Sequence, residues 1–358
     1  MRPSPRAPLI VYAVLCVTLV AAGCSKDAAA KPKRTTTTTS SSAPPPTSST
    51  TTAPPAPTGT PAPLTGQATS AEQAALITRP ALAVKIDNSP EALPQSGVNN
   101  TDLVFEIQVE GISRLMAVFH SADAASVGPT RSARYSDPPI LAMFGRPLFG
   151  WSGANEGVIK AVQSAPWIVN VNWDILHGAY HRSNSRPAPH NLYTDTRTLF
   201  SHAQPGQAAP APVFSYLSPG QSNNGSSPLP GVNERVGTTP STWVWDAGSS
   251  SYKRWEYGKR HTTTDAGQVA ATNVVLLATK YSSGPVAITT GSGQALVLIG
   301  GNQVPGTWTR ASQAQPYTLT GADGSPIKLN PGRTWIELAN NPWGPVDAGA
   351  AAALLGGA

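Results

Sequence analysis

Thiols are almost missing from this chain of 358 residues: its two cysteines, Cys16 and Cys24, both lie near the amino terminus. Everything beyond Cys24 is therefore without disulfides, a cysteine nucleophile or thiolate metal ligands. Charge is sparse as well, with 12% Asp, Glu, Lys and Arg. No GxSxG nucleophile elbow occurs, and no Lys-Ser/Thr follows the Gly-Ser-Gly of residues 291–293 as a phosphate loop requires. The apolar run of residues 9–22, LIVYAVLCVTLVAA, falls short of the roughly 20 residues of a stable membrane span.

What that run does fit is an export signal, because Arg2 and Arg6 precede it and small residues, Ala21-Ala22-Gly23, follow. Residues 1–23 are read as a signal peptide. The run ends at Cys24 and resembles a bacterial lipobox, in which the cysteine is diacylated and the chain is cut before it. Two or more acyl chains give lasting membrane attachment where one does not, so a lipidated Cys24 would anchor the chain to the outer face of the cytoplasmic membrane. Residues 24–78 are rich in Thr, Ser, Pro and Ala with little to bury, which predicts a disordered, extended tether. Lys26, Lys31, Lys33 and Arg34 would lie against anionic lipid.

The net charge of +6 belongs largely to this leader. From Arg79 onward nineteen basic residues face seventeen acidic ones, a balance that argues against a nucleic-acid partner. Short apolar runs at 81–87, 102–109, 114–120, 148–151 and 167–171 predict strands, and helices are expected after Ser136, over 156–164 and over 196–203. Residues 79–205 thus read as a mixed α/β domain. After a Pro/Gly/Ser-rich passage holding one strand at 213–217, strand signals at 242–246, 252–257, 273–280, 294–299, 307–310, 317–319 and 334–338 make residues 206–340 a smaller, mostly-β domain, giving an α+β class overall. The tail, residues 341–358, has no caps and no periodic face, and is expected to be disordered.

The ordered blocks AVKIDN (83–88), PQSG (94–97), VEG with Arg114, VGPTRSAR (127–134) and PHNLYT (189–194) resemble the YerB-like lipoprotein family. So do Arg254 with Gly258 and His261, NVV (273–275), GSG (291–293), GTW (306–308) and PGRTW (331–335). The resemblance spans residues 79–338 and implies a two-domain lipoprotein of unknown function, with no reaction attached. Two departures stand out: the hairpin around Gly111 is short, and Thr262 and Thr263 replace an acidic residue after His261, leaving Asp265 as a substitute partner.

Three of the six histidines and two arginines fall in residues 177–194, HGAYHRSNSRPAPHNLYT, a loop-forming composition. His177 and His181 with His190 or Asp174 would make a poor metal set, since Gly178-Ala179-Tyr180 is weak helical context and no HExxH occurs; no cofactor or metal is expected. A histidine base for hydrolysis or transfer, His181 or His190 oriented by Asp174 or Asp195, is the alternative to a non-catalytic role. The favoured reading is anion recognition: Arg131 and Arg134 with Arg182, Arg186, His190, Asn191 and Tyr193, if the two loops meet, would hold a carboxylate or phosphate in guanidinium forks. The same arginines could instead tie loops to Asp137, Glu110 and Asp87. Wall polymers, lipid headgroups and envelope proteins are the partners within reach. Glu106 and Glu110 share a strand face as a possible carboxylate pair or a solvated edge, and Trp243 and Trp245 share another, for stacking or for the core.

Overall fold

The structure is a computed structural model that describes residues 59–357; the signal, Cys24 and most of the tether lie outside the described residues. The first half contains β1 (Leu82–Asp87), β2 (Leu103–Gln108), β3 (Ser113–Phe119), α1 (Asp137–Leu141), β4 (Leu148–Gly150), α2 (Glu156–Gln163), β5 (Val169–Asn170), β6 (Tyr180–Arg182), β7 (Leu192–Thr194) and α3 (Thr196–Phe200). The second half begins with β8 (Ser227–Pro228), β9 (Gly231–Val236), β10 (Thr239–Asp246) and β11 (Ser251–Glu256). The short β12 (Lys259–Arg260), β13 (Thr262–Thr263), β14 (Gly267–Gln268) and β15 (Ala270–Ala271) follow. Then come β16 (Asn273–Ala278), β17 (Tyr281–Ser282), β18 (Val286–Ala287), β19 (Gly291–Ile299), β20 (Asn302–Arg310), β21 (Thr318–Gly321), β22 (Thr334–Ala339), β23 (Gly344–Val346) and α4 (Ala348–Gly356).

Every residue of β1 is buried, as expected of a strand covered on both faces. It lies between β3, antiparallel, and β4, parallel. The main sheet has eleven strands in the order β21-β20-β19-β16-β22-β2-β3-β1-β4-β5, with β8 beside β20. Its centre is the parallel pairing of β2 with β22, Leu103 to Glu106 against Thr334 to Glu337. Strands from both halves of the chain therefore share one sheet, and the fold is α+β with a mostly-β second half. Alternate side chains go to opposite faces. Ala83, Phe105 and Met116 join Ile140, Val158 and Val162 of α1 and α2 in one core. Val84, Val104 and Leu115 meet Val232, Trp243 and Tyr252 of a second sheet, β12-β11-β10-β9-β23 with β15 beside β11, in the other.

Four expectations need correction. The tether ends earlier than residue 78: Pro61 bridges Ala68, Leu64 is fully buried in the core and Gly332 N donates to Thr65 O. Full burial of a leucine stabilises by about 1.5–3 kcal/mol, and the buried Ala62 and Ile77 add to it in holding this segment on the body. The tail is ordered as β23, which pairs with β9, and as α4, capped by the Asp347 side chain on Ala350 N and packed against Val244 and Trp255. Residues 213–217 make only a single bridge, Tyr216 to Leu329, while Val213 and Phe214 fill the core. Ser136 does not cap α1; its hydroxyl accepts from Ala287 N, and Asp137 accepts from Arg134 N instead.

Candidate functional site

The two polar loops meet at the end of β1. The 127–130 segment runs between β1 and β7: Asp87 N donates to Pro129 O at 2.9 Å, Arg131 N to Lys85 O at 2.8 Å, and Thr130 N to Leu192 O at 2.6 Å. Close contact with β7 requires glycine at 128. Its φ is +152°, and a Cβ there would sit 2.8 Å from Leu192 O. This sandwich sets Arg131 and His190 on one carboxylate. Asp87 Oδ2 accepts from Arg131 Nε at 3.0 Å and His190 Nδ1 at 2.8 Å, and Oδ1 accepts from Ser89 N at 3.1 Å. Asp87 is 1% exposed, against 26% for the Arg131 side chain and 18% for His190. With Nδ1 held by Asp87, the His190 Nε2 is the nitrogen left to act. Among the described residues only the Nε of the Arg131 guanidinium is engaged.

The other expected ligands do not converge there. Arg134 forks onto Glu110 through Nε at 2.8 Å and a terminal nitrogen at 2.6 Å. Arg182 donates to Asn191 Oδ1 at 2.7 Å and lies 5.7 Å from the Trp173 ring. Arg186 donates to the carbonyls of Ala92 and Pro94, clamping the 90–94 turn. Asn191 donates to Ser183 O, and the buried Tyr193 stacks on His181 with centroids 6.1 Å apart. Arg134 and Arg186 thus join loops to the body, and Arg182 ties β6 to the start of β7. His177 packs on the edge of Trp173, and no three His, Cys, Asp or Glu side chains are grouped as a metal needs among the described residues. Asp174 is exposed and makes no bond to His181 or His190, while Asp195 caps α3 by accepting from Thr198 N at 2.8 Å. The orienter of His190 is Asp87, distant in sequence.

The corner also contains Arg114, the β3 partner of Asp87 across the sheet. Its Nε is buried without a partner and one terminal nitrogen donates to Ser132 O at 3.3 Å. Burial lowers its pKa to about 10, with the charges of Arg134 and Arg131 acting the same way. Three guanidinium groups are thus gathered against the carboxylates of Asp87 and Glu110.

Behind the corner lies a buried network that the sequence reading did not assemble. Gln95 Nε2 donates to Asp87 O and Asn88 Oδ1, its Oε1 accepts from His261 Nε2 at 2.6 Å, and His261 Nδ1 faces Arg254 at 2.6 Å. The fully buried Arg254 donates to Glu106 Oε2 at 2.6 Å, lies 3.0 Å from Glu256 Oε2, and sits 4.9 Å from the Trp335 ring. Asn88 donates to Glu256 Oε1 at 2.6 Å; Trp243 donates to Glu337 and Ser241 to Glu234. Four carboxyl groups around one guanidinium cannot all be charged. Burial pushes Glu256 up to about 7 and Glu234 up to about 8; the Glu106 charge adds to both and Arg254 offsets part of it. Burial holds Glu337 well above the usual range and, with the Arg254 charge, His261 well below it. Glu106 is therefore neither a solvated edge nor paired with Glu110, and Trp243 is core. Asp265 is not the partner of His261; it accepts from Gly97 N at 3.0 Å. The period-2 signal was there: Arg254 and Glu256 share a strand face with Tyr252, Glu106 with Val104 and Glu337 with Trp335, so each lies on a face marked by an apolar neighbour.

Such a chain, two halves sharing one sheet with a polar corner and a buried ionic network between them, matches two family models. "Protein of unknown function (DUF3048) N-terminal domain" matches residues 64–208 and "Protein of unknown function (DUF3048) C-terminal domain" residues 232–336. The protein named "Putative lipoprotein YerB" of Bacillus subtilis (strain 168) is 29% identical over 291 residues, 77% of this chain and 85% of that one. The crystal structure of Bacillus subtilis YerB superposes with a TM-score of 0.68 at 24% identity, covering 80% of this chain and 99% of that one, a likeness of fold. The chain belongs to the YerB-like family.

Proposed function

We propose that this is an exported lipoprotein, held through lipidated Cys24 at the outer face of the bacterial cytoplasmic membrane, whose body binds an anionic group on a wall polymer, lipid headgroup or envelope protein without transforming it. The similarity to the Bacillus relative, named as a lipoprotein, supports the lipoprotein part. The binding part rests on the meeting of the two loops at Asp87, which sets Arg131 and His190 side by side at a partly exposed corner. An anion there would accept from the outward nitrogens of Arg131 and from His190 when it is protonated. Ser89 Oγ lies 3.3 Å from His190 Nδ1, the nitrogen already turned to Asp87, so it is not placed for activation by Nε2.

The test is retention of the full chain on isolated cell-wall sacculi and on anionic vesicles. Arg131→Ala should weaken retention of the folded protein about tenfold or more, the loss of one charge-assisted contact, while His190 and Ser89 N still hold Asp87. Arg186→Ala should instead lower stability by roughly 1–3 kcal/mol, since the Ala92 and Pro94 carbonyls lose their donor. Equal retention by wild type and Arg131→Ala sinks the reading. The Asp87–His190 alignment also supports a second reading, a histidine base in a wall hydrolase or transferase. Release of wall fragments by wild type but not by His190→Gln would favour that reading.

A further inference from the structure

A second concave site lies away from this corner, at the carboxyl ends of the parallel neighbours β16 and β22. Its volume of about 780 Å³ is typical of small-molecule sites. One wall is the turn that leaves β22, which carries Trp343. It is fixed in place, because Asn340 Oδ1 accepts from Gly237 N at 2.9 Å and Asn341 Nδ2 donates to Gly237 O at 3.0 Å. The opposite wall is the start of β19. There β16 pairs only as far as Ala295, so the Gly291-Ser292-Gly293 run and Gln294 have β20 on one side and the groove on the other. Gly293 is covered by the Trp308 indole, and a Cβ would come within 2.6 Å of Trp308 Nε1 and Ala278 O. At Gly291, where a Cβ would meet nothing within 4 Å, this wall is bare backbone open to a flat ring.

The groove combines an indole, the 45% exposed Ile288, and the exposed Ser292 and Gln294. Lys280 is its one charged lining residue among the described residues, with no carboxylate beside it. A ligand for this surface needs an apolar ring face to lie on indole, hydroxyls at its edge for the Ser and Gln side chains, and a negative or neutral charge. Sugar rings have apolar C–H faces and a hydroxyl periphery, and an acidic sugar adds the anion. We propose that this groove binds an acidic saccharide, with its ring on Trp343 and its anionic group at Lys280.

The experiment is a tryptophan-fluorescence titration of the full chain with an oligosaccharide of uronic acids and with a neutral one of the same length. The acidic sugar should give a saturable change, weakened about tenfold or more in Trp343→Ala. Since Trp343 is partly buried and its loss could disturb the fold, Ser292→Trp, which fills the groove from an exposed strand position, should also abolish the change. Lys280→Ala should remove the preference for the acidic over the neutral sugar. Lys160→Ala, at an exposed position of α2 outside both the groove and the loop corner, should bind as wild type. No saturable change with either sugar, or unchanged binding in Ser292→Trp, overturns the proposal. So does uptake of an apolar naphthalene dye that neither sugar displaces.

Discussion

Arg254 is the side chain whose removal the fold should tolerate least. It is fully buried between two tryptophans and is the cation that faces Glu106 and Glu256. Truncation to Ala leaves buried carboxylates without a counter-charge, so Arg254→Ala should lose about 3–5 kcal/mol in urea unfolding. Glu337→Gln should behave differently. Burial raises that carboxyl well above the usual range and so favours its neutral form, which an amide mimics while still accepting from Trp243 Nε1, so a change below about 1 kcal/mol is expected at pH 7. A large loss would mean that Glu337 is charged. At this scale the sequence showed residue types better than partners. His190 and Arg131 stood out by local density, but Asp87, which binds both, lies more than forty positions from either.

At the scale of elements, the corner depends on the 127–130 segment being squeezed between β1 and β7. Gly128→Ala places a methyl 2.8 Å from Leu192 O and Tyr193 Cδ1, and backbone cannot yield as a flexible side chain can. Expected are a destabilisation of about 1–3 kcal/mol and separation of Arg131 from His190, read as loss of retention on sacculi. Retention at the wild-type level would show that the loops act independently. Strands were legible here because short apolar runs between turn residues report burial directly, as in β1, β3 and β16. The tail misled for the opposite reason: AGAAAALLG has an apolar surface all round and no polar face, and what orders it is the surface that Val244, Trp255 and Val346 offer.

For the whole molecule, the buried carboxyl groups give stability a pH dependence of definite sign. In the folded chain Glu256 and Glu234 keep their protons up to about 7 and about 8, while unfolded glutamates release them near 4.5. Between those values the folded state holds more protons at these two groups, so their contribution to stability falls as pH rises through this window, while the depressed His261 and His120 act the other way below about 6.5. Below 4.5 the contribution is fully present. The urea midpoint should therefore be lower at pH 8 than at about pH 6.5, and Glu256→Gln should flatten the slope; a rising midpoint contradicts the protonated network. Anchoring belongs to the same scale: Cys24→Ala should move the protein from the membrane fraction to the soluble one, and retention in the membrane would count against lipidation at Cys24. The sequence by itself determined the absence of cysteine beyond Cys24, the low-complexity composition that follows it and most strands of an α+β fold, because composition and period-2 patterning are local properties of the chain. Only the tertiary structure decided that β2 and β22 lie side by side, that Asp87 joins the two loops and that four glutamates close around Arg254. Those contacts join residues as far as 231 positions apart, as between Glu106 and Glu337, and are fixed by sheet order and packing rather than by any neighbour in sequence.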